Sequence, residues 1–278
     1  MAKKGAWLDN KTVVISGASG GIGAGIAEKL IKEHHCYVIG IGRSEEKMKN
    51  VVSGLGADAD RFEYRLFDVS VEENWVKLAD ELKASGRIPS LLINNAGMLP
   101  QFKRTDRFTQ EELETVMGTN FYSVVFATRA FLPMLLTQDD PGVVNIASAS
   151  SLMTIAGNSI YAASKSAVRN YTEALRYEFR GKCFFSDVCP GFIATDIMRY
   201  QNASERTLKL IRAASSSCED MVDWIFEGIE KKKPMMTLGP DARLMDTLNR
   251  LFPVAGSTIF STFMKLPHLD LFREVFRD

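Results

Sequence analysis

Residues 12–31 read TVVISGASGGIGAGIAEKLI, and the reading of this stretch decides the fold. Thr12-Val13-Val14-Ile15-Ser16 is a short β-branched run of the kind that forms a buried strand. Glycines at 17, 21 and 23 follow it, and from there Ile22, Ile26, Leu30 and Ile31 recur at helical spacing. A strand, a glycine turn and a helix in immediate succession predict the first βα unit of a parallel sheet. Glycine meets three needs in such a turn: positive φ, close approach of backbone to a pyrophosphate, and close packing of helix on sheet. The start of the helix then offers unpaired N–H groups to phosphate oxygens. Gly17, Gly21, Ile22 and Gly23 are therefore candidate dinucleotide-binding residues. A glycine cluster alone also suits an ordinary turn.

Outward from this unit the alternation continues. Strand-like runs occupy residues 36–41, 62–67, 90–93, 143–146, 183–189 and 235–238. Between them lie a charged helix opened by Ser44 as N-cap and a helix carrying Trp75, Leu78, Ala79 and Leu82. A long helical region over 109–136 follows, which Pro133 should kink or end, then helices over 161–179 and 221–229. Strands alternating with helices predict an α/β fold: a single Rossmann-like, doubly wound parallel sheet of about seven strands with flanking helices. No linker, low-complexity tract or repeat divides the chain, so one domain is expected over 1–278, with its core over about 9–240. After Gly239 the alternation stops. Leu244, Leu248, Leu251 and Phe252 recur at helical spacing, and 241–278 reads as a C-terminal helical appendage. It would serve as substrate lid, dimer contact or membrane-surface helix; protein contact is preferred, because Lys and Arg do not cluster enough for lipid adsorption.

Composition narrows the partners. Lys+Arg and Asp+Glu both number 34, giving zero formal net charge, which argues against a general grip on nucleic acid while leaving a local basic patch open. Cys36, Cys183, Cys189 and Cys218 form no C-x-x-C pair, and no His stands at zinc-finger spacing from them, so they read as free thiols in a reducing cytosol with no metal site. Lys3 and Lys4 are followed by Asp9, Asn10 and Lys11 rather than an apolar run, so no export signal is read. The charge-free run 251–264 contains Pro253 and Gly256 and falls short of the roughly 20 residues of a membrane span. A cytoplasmic protein without a transmembrane segment is expected.

The second strand ends at Gly42-Arg43-Ser44. An acid here would bond the ribose 2′-hydroxyl of NAD; Arg43 instead suits the 2′-phosphate of NADP, with Ser44 and Ser19 adding hydrogen bonds. NADP(H) is favoured, and NAD(H) stays open because Glu45 and Glu46 lie one and two positions late. Tyr161-Ala162-Ala163-Ser164-Lys165 sets Tyr and Lys at i and i+4 on one helical face. A tyrosine with pKa of roughly 10 is a poor base near neutrality, and an ammonium one turn away would favour its phenolate. Ser148 precedes Tyr161 by 13 residues, at the end of the fifth strand. Sites in open parallel sheets lie beyond the carboxyl ends of the strands, so Ser148 and Tyr161 would meet the same substrate oxygen. Ser150 is a rival by spacing alone.

Several motifs stand in a fixed order: Ser16-Gly17-x-x-x-Gly21-x-Gly23, Asp68-Val69, Asn94-Asn95-Ala96-Gly97, Asn120, Ser148, Tyr161-x-x-x-Lys165 and Pro190-Gly191. In that order and spacing, over roughly residues 9–240, the chain resembles the short-chain dehydrogenase/reductase family. The resemblance implies an NADP(H)-dependent oxidoreductase interconverting an alcohol and a ketone. It implies Tyr161 as proton donor and acceptor. Lys165 would lower the pKa of Tyr161 and bind the nicotinamide ribose, and Ser148 would polarise the carbonyl. Asn120 would hold a water in a proton relay to Lys165. Asp68 would contact the adenine by side chain and Val69 by backbone. Asn94 and Gly97, with Ala96, would line the ribose. Thr195 would bind the carboxamide, beside Pro190, Gly191 and Ile193. Ser16 departs from the family's usual Thr but keeps the hydroxyl that braces the loop. A homodimer or homotetramer is expected.

Loops after the fourth, fifth and sixth strands offer Met98, Leu99, Phe102, Leu152, Met153, Ile155, Phe192, Ile197, Met198 and Tyr200. An apolar, Met-containing wall suits a small hydrophobic alcohol or ketone substrate such as a steroid, bile acid or lipid-like ketone. Two other classes compete. A catalytically silent cofactor sensor or scaffold would be expected to lack Tyr161 or Lys165, and both are present. An extended epimerase or dehydratase would need a larger C-terminal substrate region than 241–278.

Overall fold

The computed structural model of the chain describes residues 5–193, 204–263 and 273–276. Seven strands form one sheet: β1 Thr12–Ser16, β2 Tyr37–Gly42, β3 Phe62–Leu66, β4 Leu91–Asn94, β5 Gly142–Ile146, β6 Phe184–Pro190 and β7 Met235–Leu238. All six pairings are parallel, in the order β3-β2-β1-β4-β5-β6-β7. The strand order reverses between β1 and β4. In an open parallel sheet a crevice forms at that reversal, outside the carboxyl ends of the strands. The doubly wound sheet expected from the sequence is thus the fold of the chain.

Helices cover both faces, and the two-residue period of the strands sorts the core between them. Val13 and Ile15 of β1 pack with Ile26 and Leu30 of α1 (Gly21–His34) and with Met221, Ile225 and Phe226 of α8 (Cys218–Glu230). Val14, between them, packs on the other face with Trp75 and Leu78 of α3 (Glu72–Ala84) and Phe131 of α5 (Ser123–Leu135). The Trp75 and Phe131 rings meet edge to face at 6.3 Å. The remaining core-flanking helices are α2 (Glu45–Leu55), α4 (Gln110–Met117), α6 (Ser159–Glu178) and α7 (Glu205–Ala214). Of these, α7 is not among the helices expected from the sequence.

Local chemistry sets the helix starts. Ser44 accepts the Lys47 N–H with its hydroxyl and caps α2, as its position suggests. Thr109 caps α4 in a reciprocal box: its hydroxyl accepts the Glu112 N–H at 3.2 Å, and the Glu112 carboxylate accepts the Thr109 N–H at 2.8 Å. The long helical region runs through α4 and α5 but is interrupted by a π-turn over Gly118–Tyr122. Pro133 does not break it. The residue sits in the last turn, and the helix ends two residues on, at Leu135.

The segment after Gly239 forms α9 (Pro240–Leu251), α10 (Pro253–Phe263) and α11 (Arg273–Phe276). The apolar stripe read from spacing is not the buried one. Leu244 and Leu251 are 53% and 66% exposed, while Ala242 and Met245 are buried against Ala149 and Met153, with Leu248 at their edge. The start of α9 causes this rotation: Gly239 has φ +99, Pro240 opens the helix, and Asp241 is bonded to Phe192. α11 brings Val275 onto Gly157, where a Cβ would fall 2.4 Å from the Val275 Cγ2. Among the described residues no helix is long and apolar enough to cross a membrane.

Truncating Phe131 removes a fully buried ring beside Trp75. Phe131→Ala should lower the unfolding free energy by about 3–5 kcal/mol in urea denaturation; a loss under about 1 kcal/mol would mean that this face of the sheet is not closely packed.

Candidate active site

The crevice between β1 and β4 is built by backbone and small polar groups. Gly17 and Gly21 have φ of +68 and +54, which other residues adopt with strain. At Gly23 the requirement is space: a Cβ would fall 2.3 Å from the Gly17 carbonyl oxygen and 2.6 Å from the Asn95 Nδ2. Gly20 opens α1 without any side-chain cap, so the first-turn N–H groups have no side-chain acceptor there. Ser16 and Asn95 lock the two strand ends together. The Ser16 hydroxyl accepts the Asn95 and Ala96 N–H groups, both at 3.0 Å, and the Asn95 amide donates to the Ser16 and Gly17 carbonyls, both at 3.1 Å. Serine thus keeps the bracing hydroxyl. Asn95 was quoted in a motif but not read as functional.

At the β2 end, Arg43 is exposed, and Ser19 stands over Gly42, its Oγ 3.4 Å from where a Cβ would be. Asp68 accepts the Ser70 hydroxyl at 2.7 Å and the Ser70 N–H at 2.9 Å. These bonds, with Arg43 nearby, hold its carboxyl below the usual range. The Val69 carbonyl is taken by the Trp75 indole N–H at 2.8 Å, which leaves its N–H as the backbone group for a ligand.

Two expected residues face elsewhere. The Asn94 side chain turns into the protein and donates to Asn145 at 2.8 Å, and Asn145 donates on to Thr172. Asn95, not Asn94, lines the crevice. Asn120, fully buried in the π-turn, spends its amide on the protein. Its Oδ1 accepts the Met98 N–H at 2.8 Å, and its Nδ2 donates to the Met98 carbonyl and to Ser164 Oγ, both at 3.0 Å. Both amide protons are used, so a water could only donate to Oδ1 or meet backbone groups of the π-turn, a device common at functional sites.

Ser148, Tyr161 and Lys165 converge on one cavity of about 200 Å³. Ser148 ends the β5 exit, where its hydroxyl accepts the Ser150 N–H at 3.1 Å, and it lines the cavity together with Tyr161. Lys165 is 4% exposed and donates to the Ile146 carbonyl at 2.8 Å. Burial lowers its pKa to about 8. Burial raises the pKa of Tyr161, and the opposing influence is Ser148 rather than Lys165. The ammonium is thus committed to a carbonyl of β5, which helical spacing could not reveal. Gly97 leaves room between the two arms: a Cβ there would lie 3.1 Å from Lys165 Nζ and 3.4 Å from Asn120 Oδ1. Ser150 also lines the cavity, but its hydroxyl accepts from Asn158 Nδ2 at 3.0 Å, and the group that opposes the burial of Tyr161 is Ser148.

The cavity floor begins at Gly21 and Ile22, and its far wall is Pro190, Gly191, Phe192 and Ile193. Met98, Leu99, Phe102 and Ile155 supply the apolar side. Leu152 and Met153 do not; they are buried in the packing beneath. Asn158 and Met245 line the cavity without having been singled out. Met245 arrives from α9, 84 residues beyond Tyr161, so no local pattern announces it. Thr195, Ile197, Met198 and Tyr200 lie outside the described residues.

Comparison with known proteins bears on the family and the fold. Residues 11–206 match the short chain dehydrogenase family. A Mycobacterium tuberculosis protein named as the oxidoreductase SadH is 30% identical over 258 residues, covering 88% of this chain and 91% of the relative. A Staphylococcus aureus protein described as an uncharacterised oxidoreductase is 30% identical over 200 residues, 72% of this chain and 85% of the relative. A short chain dehydrogenase/reductase from Burkholderia phymatum, solved in complex with NAD, superposes with a TM-score of 0.80 at 26% identity, covering 89% of this chain and 95% of that one.

The Lys165 environment has a pH signature. Between about 8 and 10.5 the unfolded chain keeps the Lys165 proton and the folded chain does not, so this residue makes stability rise with pH. The unfolding free energy of the wild type relative to Lys165→Met should therefore grow by about 3 kcal/mol between about pH 7.5 and about pH 10.5 in parallel urea titrations. A difference independent of pH would contradict the buried ammonium.

Proposed function

The chain belongs to the short-chain dehydrogenase family, and from that premise we propose that it is an NADP(H)-dependent oxidoreductase interconverting a secondary alcohol and a ketone on a hydrophobic substrate. The observation that carries the reading is the convergence of Ser148, Tyr161 and Lys165 on one cavity that begins at the glycine turn. The residues at the crevice suit a dinucleotide. Gly17 and Gly23 have no room for a side chain, Gly17 and Gly21 take positive φ, and the uncapped start of α1 suits a pyrophosphate. The Burkholderia relative holds NAD, which supports a nicotinamide dinucleotide. Exposed Arg43 beside Ser19 and Ser44, with no acid at the strand end, favours NADP(H).

When bound, the nicotinamide ring supplies or accepts the hydride. The chain's own residues do the rest. In the reducing direction the Tyr161 hydroxyl gives its proton to the substrate oxygen as that oxygen gains negative charge. The Ser148 hydroxyl donates to the same oxygen, so two donors stand where charge develops. Lys165 would hold the ribose hydroxyls of the bound cofactor with its remaining donors. The Lys165–Ile146 bond fixes the ammonium at the floor of the cavity. Asn120 positions the Met98 backbone and, through Ser164, the helix turn that carries Tyr161, since Ser164 Oγ donates to the Tyr161 carbonyl at 2.7 Å. Asp68 with the Val69 N–H would border the adenine, and Ala96 and Gly97 the ribose. The apolar side formed by Met98, Leu99, Phe102, Ile155 and Met245 excludes water and suits a steroid, bile acid or lipid-like ketone.

A screen of NADPH oxidation over hydrophobic ketones tests the reaction. Tyr161→Phe should lower turnover of any substrate found by at least ~100-fold; full activity in that variant would remove Tyr161 from the chemistry. Separately, Arg43→Asp should raise the NADPH dissociation constant relative to that of NADH by about tenfold or more, as expected for losing a charge-assisted bond to phosphate. An unchanged ratio would mean that Arg43 does not read the 2′-phosphate.

A further inference from the structure

The far wall of the cavity, Gly191-Phe192-Ile193, lies past the end of β6 and is held from outside the sheet core. Gly191 N–H donates to the Leu238 carbonyl at 2.8 Å, and Ile193 bridges Ser216. The Phe192 N–H donates to the Asp241 carboxylate at 2.6 Å. Asp241 stands in the first turn of α9, yet this oxygen serves the β6 exit and not its own helix, whose N-cap Gly239 has no side-chain cap. The other oxygen, Oδ1, is buried and has no partner among the described residues. Room for this carboxylate exists because glycines flank it: a Cβ on Gly191 would fall 2.1 Å from Oδ1, and one on Gly239 2.7 Å. A buried acceptor left unpaired costs stability, so helix formation alone gives no reason to keep an acid here. One turn further on, the same helix carries Met245 into the cavity.

We infer that Asp241 is a positioning residue for the nicotinamide end of the cofactor. It fixes the Phe192 amide and with it the wall of Gly191–Ile193, which lines the same cavity as Gly21, Ile22 and Tyr161. The first turn of α9 is accordingly part of the site, and the segment after Gly239 is more than an appendage. The inference rests on the dinucleotide reading above and says which of this chain's residues set its reactive end.

The test compares two probes, NADPH and adenosine 2′,5′-bisphosphate, which carries the adenine half alone. Dissociation constants are measured by titration for the wild type, Asp241→Ala, Asp241→Asn, Gly191→Ala and the Gly191→Ala/Asp241→Ala double variant. Asp241→Ala should weaken NADPH about tenfold, the scale of one buried hydrogen bond, and leave the bisphosphate unchanged. Asp241→Asn should recover most of the loss, because its amide oxygen can still accept the Phe192 N–H. Gly191→Ala should cost much less in the Asp241→Ala background than alone, since the clashing oxygen is gone. Equal weakening of both probes, strictly additive effects, or unchanged NADPH affinity would each overturn the positioning role. A wild type that binds neither probe nor NADH would overturn the dinucleotide reading itself and this inference with it; one that binds only NADH puts the inference to the same comparison with NADH and adenosine 5′-monophosphate. A wild type that binds both while the Asp241 variants behave like it would overturn only the inference.

Discussion

At the reversal of strand order, β1 and β4 must run side by side and yet send their chains to opposite faces of the sheet, and the Ser16–Asn95 bonds make that junction rigid. One hydroxyl receives two backbone N–H groups and one amide satisfies two carbonyls, so the polar backbone that a splayed loop would strand is paired within the junction. The glycines depend on this junction. Gly17 and Gly23 come so close to Asn95 that neither could carry a side chain, and the bare backbone they leave is the approach to the start of α1. The cavity then extends from that point along the ends of β5 and β6.

The second constraint is electrostatic. Placing Lys165 and Tyr161 under the sheet end removes both from water, and burial disfavours the charged form of each: the phenol's proton affinity moves upward, the ammonium's downward to about 8. Such an arrangement is costly to fold and useful for proton transfer, because neither group is strongly committed to its charged state. Ser148 offsets burial at the phenol, and the Ile146 carbonyl anchors the ammonium. In the proposed reaction the substrate oxygen enters this poised set as a third partner.

Much of this was legible along the chain. Residues 12–31 carried the βα unit because a short β-branched run gives way to helical spacing across a glycine turn, a purely local signal. Tyr161 and Lys165 were legible as an i, i+4 pair, and Ser148 by its place at a strand end. What the spacing could not carry was orientation across the fold. Asn94 and Asn95 are adjacent and chemically identical, and only the pleat of β4 sends one toward Asn145 and the other to the crevice. The partner of the Lys165 ammonium is a backbone carbonyl on β5, and a carbonyl has no residue identity to read. Asp241 and Met245 reach the site through α9, whose rotation is set by a bond to Phe192 rather than by its apolar period; hence Leu244 and Leu251 point outward. The π-turn at Asn120 likewise follows from tertiary packing, since Gly118–Tyr122 reads as ordinary helix.

The central claim is that the β1–β4 crevice binds a nicotinamide dinucleotide through its native geometry. Scanning calorimetry of the wild-type chain at increasing NADPH concentration addresses it most directly, because a ligand that binds only the folded state stabilises it in proportion to the logarithm of its concentration. The account predicts an unfolding midpoint that climbs steadily with NADPH, equivalent to about 4 kcal/mol at a thousandfold excess over the dissociation constant. A midpoint that stays fixed with both NADPH and NADH up to millimolar concentration would contradict it.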